Sequence, residues 1–299
     1  MRHFIEIKDL SKTEILSLID KASYFKKNIN YPNYCQQIVA NLFYENSTRT
    51  RVSFELAEKK LSMQVINLNM DSSSEQKGEI LTDTIENLAA MGINLFVIRH
   101  SQNEVFQKLI NLSSNVQFIN AGNGTNAHPS QAMLDAMTIM EQKSDFSSLK
   151  VTIIGDIKHS RVANSLQVVL AKLGVRNLTL VAPDLWQPQK ILFGTFTNSL
   201  TDGLEGADVV ICLRVQKERL LHDETIDLDY FRKNYTLTLQ NLKLAKNDAM
   251  VMHPGPINRG VEMEDEVVAS SQSCILQQVT NGVYMRMAIM DLLVTSQKK

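Results

Sequence analysis

The sequence reads as an α/β protein of two domains, each a parallel sheet flanked by helices. Three observations predict this. Short apolar runs alternate with longer segments whose apolar residues recur at helical spacing. That alternation is the pattern of βαβ units, in which strands buried on both faces read as near-continuous apolar runs. It stops at a polar break, Gln142 to Ser148, and then restarts, and a chain of 299 residues is long enough for two domains of ordinary size.

In chain order, Ser11-Lys12-Thr13-Glu14 is a capping box, followed by Ile15, Leu16, Leu18, Ile19, Ala22 and Phe25 at helical spacing. Tyr31-Pro32-Asn33 breaks that helix, and Ile38 to Tyr44 reads as a strand. The helix opening after Asn46 is expected to carry Val52, Phe54, Leu56, Ala57 and Leu61 inward. Val65 to Leu68 is the next strand, and a polar loop from Asp71 to Glu79 follows it. Ile80, Leu81, Thr84, Ile85, Leu88 and Ala89 form a helix face ended by Gly92. Leu95 to Ile98 is a strand closing on Arg99-His100. A helix over Glu104 to Leu112 and a strand over Val116 to Ile119 lead to a loop rich in Gly and Asn. Pro129 suits the first turn of the helix carrying Ala132, Met133, Ala136 and Met140.

Beyond the break, Val151 to Ile154 is a strand ending in Gly155-Asp156, and a helix runs from about Arg161 to Leu173. Leu178 to Val181, Val209 to Leu213 and Ala249 to Met252 are further strands. The last helical pattern, Ile275 to Val294, is long enough to cross back onto the first half. The expected division is 1–143, completed by a C-terminal helix at about 275–299, and 144–274.

Composition excludes several functions. The net charge is −1, from 31 basic and 32 acidic residues with no long basic run, so nucleic acid and anionic membrane are not expected partners. Cys35, Cys212 and Cys274 are scattered, and the histidines show no HExxH spacing. That argues against a disulfide framework and against a zinc site, so no metal is expected. The N-terminus lacks the apolar core of a signal peptide and no run reaches membrane-spanning length. The expectation is a soluble chain of the cytoplasm.

In open parallel sheets, ligands bind outside the carboxyl ends of the strands. After the first strand come Ser47-Thr48-Arg49-Thr50 at a helix N-terminus, where backbone N–H groups and the helix dipole favour an anion. Arg49 adds a planar fork that matches phosphate oxygens. The same residues also fit an ordinary N-cap with solvated arginines. Further strand ends bring the Ser73 to Lys77 loop, Arg99, then His128 and Gln131. In the second half they bring Asp156 to Arg161, Arg214 and Gln216, and His253-Pro254-Gly255-Pro256. Cations and amide donors dominate, and no Ser/His/Asp or Cys/His nucleophile arrangement is present. Such a set binds anions and polarises a carbonyl. Gly155 follows a strand, but no further glycine occurs before Gly174, so a nicotinamide cofactor is not expected. No cofactor is expected.

With these residues in place, the chain resembles the catalytic chains of aspartate carbamoyltransferases nearly end to end. Ser47-Thr48-Arg49-Thr50-Arg51 with Ser53-Phe54-Glu55 is similar to the carbamoyl-phosphate signature of aspartate and ornithine carbamoyltransferases, and His128-Pro129-Ser130-Gln131 to their second shared motif. Lys77-Gly78-Glu79, Leu213-Arg214-Val215-Gln216 and His253-Pro254-Gly255-Pro256-Ile257-Asn258-Arg259 resemble the aspartate member. The His-Cys-Leu-Pro and Ser-Met-Gly motifs of ornithine enzymes are missing.

The resemblance implies transfer of a carbamoyl group from carbamoyl phosphate to L-aspartate in pyrimidine biosynthesis. It implies that Ser47, Thr48, Arg49 and Thr50 cradle the phosphate, that Thr50, Arg99 and His128 donate to the carbonyl oxygen, and that Gln131 holds the carbamoyl amide. Arg161 and Arg214 would pair with the carboxylates of aspartate, with Gln216 in support. Gly255 and Pro256 would offer backbone carbonyls, across a candidate cis peptide bond. Ser73 and Lys77 would reach a neighbouring subunit's site, which requires at least a trimer. Some relatives associate with a regulatory chain or with dihydroorotase, so a higher assembly stays open. The rival readings are a carbamoyltransferase for another amine such as ornithine, and an inactive phosphate-binding paralogue.

Overall fold

The computed structural model describes residues 2–69, 79–112, 115–215 and 227–296. They form two compact units, Met1–Leu134 with Thr280–Lys299, and Asp135–Val279. Each unit holds one sheet, and every strand pairing among the described residues is parallel.

In the first unit, α1 (Lys12–Lys27) opens on the expected capping box. Ser11 Oγ accepts from the Glu14 amide at 3.2 Å while the Glu14 carboxylate accepts from the Ser11 amide at 2.8 Å. The alternation continues through β1 (Ile38–Phe43), α2 (Thr48–Lys60), β2 (Gln64–Asn69), α3 (Leu81–Ala90), β3 (Leu95–His100), α4 (Val105–Leu109), β4 (Gln117–Asn123) and the start of α5 (Pro129–Gln142). The strand order is β2-β1-β3-β4. The chain therefore steps from β1 to one side, then returns to lay β3 on the other. That reversal makes the carboxyl ends of β1 and β3 a topological switch point.

The sheet interior is filled by Ala40, Leu42, Phe96, Ile98 and Phe118, with Ile85, Val105 and Phe106 packed against them. Phe54, Ala57 and Leu61 of α2 and its following turn are buried as expected. Val52 and Leu56, also expected inward, are 48% and 45% exposed. Helical geometry gives the reason: each lies two residues, about 200°, from Phe54 and so on the opposite face.

In the second unit come β5 (Lys150–Ile154), α6 (Arg161–Leu173), β6 (Asn177–Val181), β7 (Thr195–Thr197), α7 (Leu200–Leu204), β8 (Val209–Cys212), α8 (Leu228–Tyr235), α9 (Leu239–Leu242), β9 (Met250–Met252) and α10 (Asp265–Val268). The order β7-β6-β5-β8-β9 reverses between β5 and β8, giving a second switch point. The edge strand β7 and the short helices α7 to α10 were not expected from the sequence, because such short elements carry no readable period.

The C-terminal helix α11 (Ile275–Ser296) returns to the first unit, as the sequence predicts. Arg286 Nη1 donates to Ser53 Oγ at 3.0 Å, and its guanidinium sits 4.8 Å from the centre of the Phe54 ring. Gln117 Nε2 donates to the Leu293 carbonyl at 3.0 Å, and the Tyr34 hydroxyl to Asp291 Oδ1 at 2.6 Å. Helix α2 is thus braced by α11 along the residues that follow its first turn.

One buried acid ties α2 to the sheet. Asn41 of β1 donates through Nδ2 to Glu58 Oε2 at 2.8 Å and to Asn67 Oδ1 at 3.1 Å. Glu58 Oε1 and Asn41 Oδ1 have no hydrogen-bond partner among the described residues. A carboxyl proton on Glu58 would make Oε1 a donor in place of a second buried acceptor. Burial pushes this carboxyl up to about 8, with the Asn41 bond opposing.

The native state keeps a proton that the unfolded chain releases near the ordinary 4.5, so this contribution is whole below that pH and lost as pH rises through about 8. Glu58→Gln supplies the same donor at every pH. Urea titrations from about pH 5 to pH 9 are expected to show the variant gaining on the unsubstituted protein by on the order of a few kcal/mol. Parallel stability curves would contradict a protonated Glu58.

Candidate active site

At the first switch point, β1 runs into a polar turn and α2 begins at Thr48. Ser47 occupies the N-cap with φ −159° and ψ 84°, but its side chain makes no capping bond, and no acidic residue stands in the first turn of α2. Helix geometry leaves the first-turn amides with no intrahelical acceptor. The N-terminus of α2 therefore offers donors and a positive dipole end with no carboxylate in that turn to compete for them. Thr50 is buried on the third residue of the helix.

Strand register brings Arg99 to this turn. Phe43 of β1 pairs with Arg99 of β3, and the Tyr44 amide donates to the Arg99 carbonyl at 2.9 Å. The Arg99 guanidinium is held through Nη1 on the Ala121 carbonyl at 3.3 Å and lies with Nε 3.4 Å from Glu45 Oε2. His100, beside it, packs at a tilt against Tyr44 with ring centres 4.7 Å apart, and burial lowers its imidazole pKa from the ordinary value.

His128 and Gln131 are buried at the start of α5, with Pro129 as its first residue. The His128 carbonyl accepts from the Gln131 and Ala132 amides at 3.1 and 3.2 Å, so the helix ladder starts on it. Four strand-end features thus belong to one unit: Ser47 to Thr50 follow β1, Arg99 lies in the last two residues of β3, and His128 and Gln131 follow β4.

The second switch point is built as tightly. Gly155, at φ +125°, ends β5, and the next residue, Asp156, is fully buried. Asp156 Oδ1 accepts from the His159 amide at 3.2 Å and lies 2.8 Å from His159 Nδ1. Ser160 caps α6 through a bond from the Ala163 amide at 3.1 Å, and Arg161 is its first residue, buried. Next door, the Leu213 amide donates to the Ile154 carbonyl at 2.7 Å, and Arg214 follows, half-buried. After β9, the Gly255 amide donates to His253 Nδ1 at 2.7 Å, and the Gly255–Pro256 peptide bond is cis.

Ser73, Lys77 and Gln216 lie outside the described residues. Two acids to which the sequence reading gave no role stand among the site residues. Glu45 flanks Arg99, and Glu262 binds the segment after Arg214. For Glu262 a signal existed: one acid flanked by Val261 and Met263, just past the 253–259 turn.

Fold and site together define a two-unit parallel α/β protein that presents cationic side chains and helix N-terminal amides at the switch point of each sheet. Residues 2–141 match the carbamoyl-phosphate-binding domain model of the aspartate/ornithine carbamoyltransferases, and residues 147–293 match their aspartate/ornithine-binding domain model. The aspartate carbamoyltransferase catalytic subunit of Legionella pneumophila (strain Lens) is 61% identical over 297 residues, covering 99% of this chain and all of that protein. The Coxiella burnetii (strain Dugway 5J108-111) aspartate carbamoyltransferase catalytic subunit is 47% identical, over 97% of this chain and 95% of that one. Aspartate transcarbamoylase from Trypanosoma cruzi, solved with carbamoyl phosphate and aspartate, superposes with a TM-score of 0.89 at 31% identity, over 97% of this chain and 95% of that one. The chain belongs to the aspartate/ornithine carbamoyltransferase family.

The contact between β5 and β8 is testable by one methyl group. A Cβ at Gly155 would lie 2.7 Å from the Leu213 carbonyl oxygen and 3.2 Å from Leu213 Cβ, at a φ that side chains rarely adopt. Gly155→Ala is expected to cost about 1–3 kcal/mol in chemical denaturation. An unchanged midpoint would mean that the two strand ends are not packed this way.

Proposed function

We propose that this chain is the catalytic chain of an aspartate carbamoyltransferase, converting carbamoyl phosphate and L-aspartate to N-carbamoyl-L-aspartate and phosphate in pyrimidine biosynthesis in the cytoplasm. The observation that carries the reading is the first turn of α2, an uncapped helix N-terminus with Arg99 in register beside it. On this reading residues 1–143, completed by the C-terminal helix from about 275, bind carbamoyl phosphate, and residues 144–274 bind aspartate. The aspartate carbamoyltransferases of 61% and 47% identity support aspartate over ornithine as the acceptor.

The neutral amine of aspartate attacks the carbonyl carbon, the new C–N bond forms, and the bond from carbon to the phosphate oxygen breaks through a tetrahedral intermediate. Ser47, Thr48, Arg49 and Thr50 hold the phosphate through hydroxyls, guanidinium and first-turn amides. Arg49 also stabilises charge gathering on the leaving phosphate. Thr50, Arg99 and His128 donate to the carbonyl oxygen, and Gln131 accepts from the carbamoyl NH2 group. Arg161 and Arg214 pair with the two carboxylates of aspartate, with Gln216 in support, and Gly255 and Pro256 contribute backbone carbonyls. The amine proton passes to the departing phosphate, so no side-chain base is required.

The active form on this reading is a homotrimer in which Ser73 and Lys77 of a neighbouring subunit enter each site. Support comes from exposed apolar side chains on neighbouring elements of the first unit: Val52 and Leu56 on α2, and Ile66, 38% exposed, on the edge strand β2. An edge strand with an apolar surface beside it is the kind of region that a second copy covers.

Two experiments test the reading. Purified protein given carbamoyl phosphate is expected to carbamoylate L-aspartate and not L-ornithine, and His128→Ala to lower kcat by roughly 100-fold. Transfer to ornithine, or to neither amine, would overturn it. Impaired Lys77→Ala and His128→Ala chains, mixed and reassembled, are expected to regain part of the activity through hybrid sites. No recovery in a mixture shown by mass measurement to contain hybrids would rule out shared sites.

A further inference from the structure

Glu262 is nearly sealed from solvent in the second unit, 2% exposed, and no step of the proposed reaction uses it. Its carboxylate nonetheless collects donors from both segments that flank the amino-acid half of the site. The Val215 amide donates to Oε1 at 2.8 Å, Asn258 Nδ2 donates to Oε1 at 2.7 Å, and the Asn258 amide donates to Oε2 at 2.7 Å. Asn258 Nδ2 also reaches the Val215 carbonyl at 3.3 Å. The N–H and C=O of Val215 are therefore both engaged by one acid–amide pair from the 253–262 segment.

Arg214 stands between two anchored neighbours. Leu213 and Val215 are each 1% exposed. Leu213 is fixed to the end of β5 by its 2.7 Å bond to Ile154. Val215 is fixed to Glu262. Between them the Arg214 backbone has little freedom to reorient. His253 completes the surroundings of the acid: its Nδ1 accepts from the Gly255 amide, so in the neutral ring Nε2 carries the proton, 3.9 Å from Glu262 Oε2.

We propose that Glu262 is a positioning residue for the amino-acid half of the reaction, locking the peptide after Arg214 to the 253–259 turn so that the Arg214 guanidinium is aimed before the substrate arrives. This rests on the assignment of Arg214 to an aspartate carboxylate. The chemistry explains the choice of an acid. Three N–H groups converge on two oxygens, and an ionised carboxylate is the side chain that accepts at both without donating at either. Burial raises its affinity for a proton, and the bonds from Val215 and Asn258 pull it back. A glutamine at 262 keeps the shape but turns one acceptor into a donor facing an N–H.

The test is steady-state kinetics on Glu262→Gln, Asn258→Ala and Arg214→Ala in the full-length protein. Glu262→Gln is expected to raise KM for aspartate about tenfold, with a smaller fall in kcat and a carbamoyl-phosphate KM within about twofold of the unsubstituted protein. Asn258→Ala, on a partly exposed turn, is expected to raise aspartate KM about threefold in the same selective way. It carries the test alone should Glu262→Gln not fold. If Arg214→Ala raises aspartate KM and neither other variant does, the positioning role is wrong and the Arg214 assignment stands. If the Glu262 or Asn258 change weakens both substrates equally, the role is general structure and the inference falls. If Arg214→Ala leaves aspartate KM unchanged, the assignment of Arg214 fails and the inference falls with it.

Discussion

A parallel sheet whose strand order reverses sends consecutive helices to opposite faces, and the crevice at the reversal opens onto strand carboxyl ends and helix N-termini. This constraint governs both units. In the first it sets the amide end of α2 beside Arg99, because β1 and β3 are neighbours in space though β2 lies between them in sequence. In the second it sets Arg161, at the head of α6, and Arg214, just past β8, after the adjacent strands β5 and β8 for the same reason. Cationic and N–H donor groups therefore gather at each reversal, where the fold alone supplies partial positive charge.

Holding those groups in place falls to buried polar contacts away from the reacting atoms. Glu58 with Asn41 fixes the far end of α2 to β1, and Arg286 of α11 fixes Ser53 and Phe54 about one turn past the head of α2. Glu262 does the same for the segment carrying Arg214. Each is a polar group whose burial costs free energy unless its partners are present.

Much of this was legible in the sequence. Alternating apolar runs and helical periods gave the parallel sheets, whereas Ser47 to Thr50 by residue type alone fit an anion turn and an ordinary N-cap alike. The capping box at Ser11 appeared atom for atom. Less legible was which face of α2 points inward. Val52 and Leu56 are apolar but lie opposite Phe54, and apolar character alone does not separate a core face from one exposed on a single chain. The edge strand β7 is too short for a period to show. Contacts such as Asn41 with Glu58, or Val215 with Glu262, join residues 17 and 47 positions apart and follow from no local pattern.

On the proposed reading, the head of α2 holds the phosphate of carbamoyl phosphate. Calorimetric titration of carbamoyl phosphate into the unsubstituted protein and into Arg49→Ala, with folding of the variant checked by its denaturation midpoint, addresses it directly. Binding is expected to weaken by roughly 100-fold in the variant, the loss of one charged, phosphate-directed donor. Equal affinity in a folded Arg49→Ala chain would contradict the placement of phosphate at this turn.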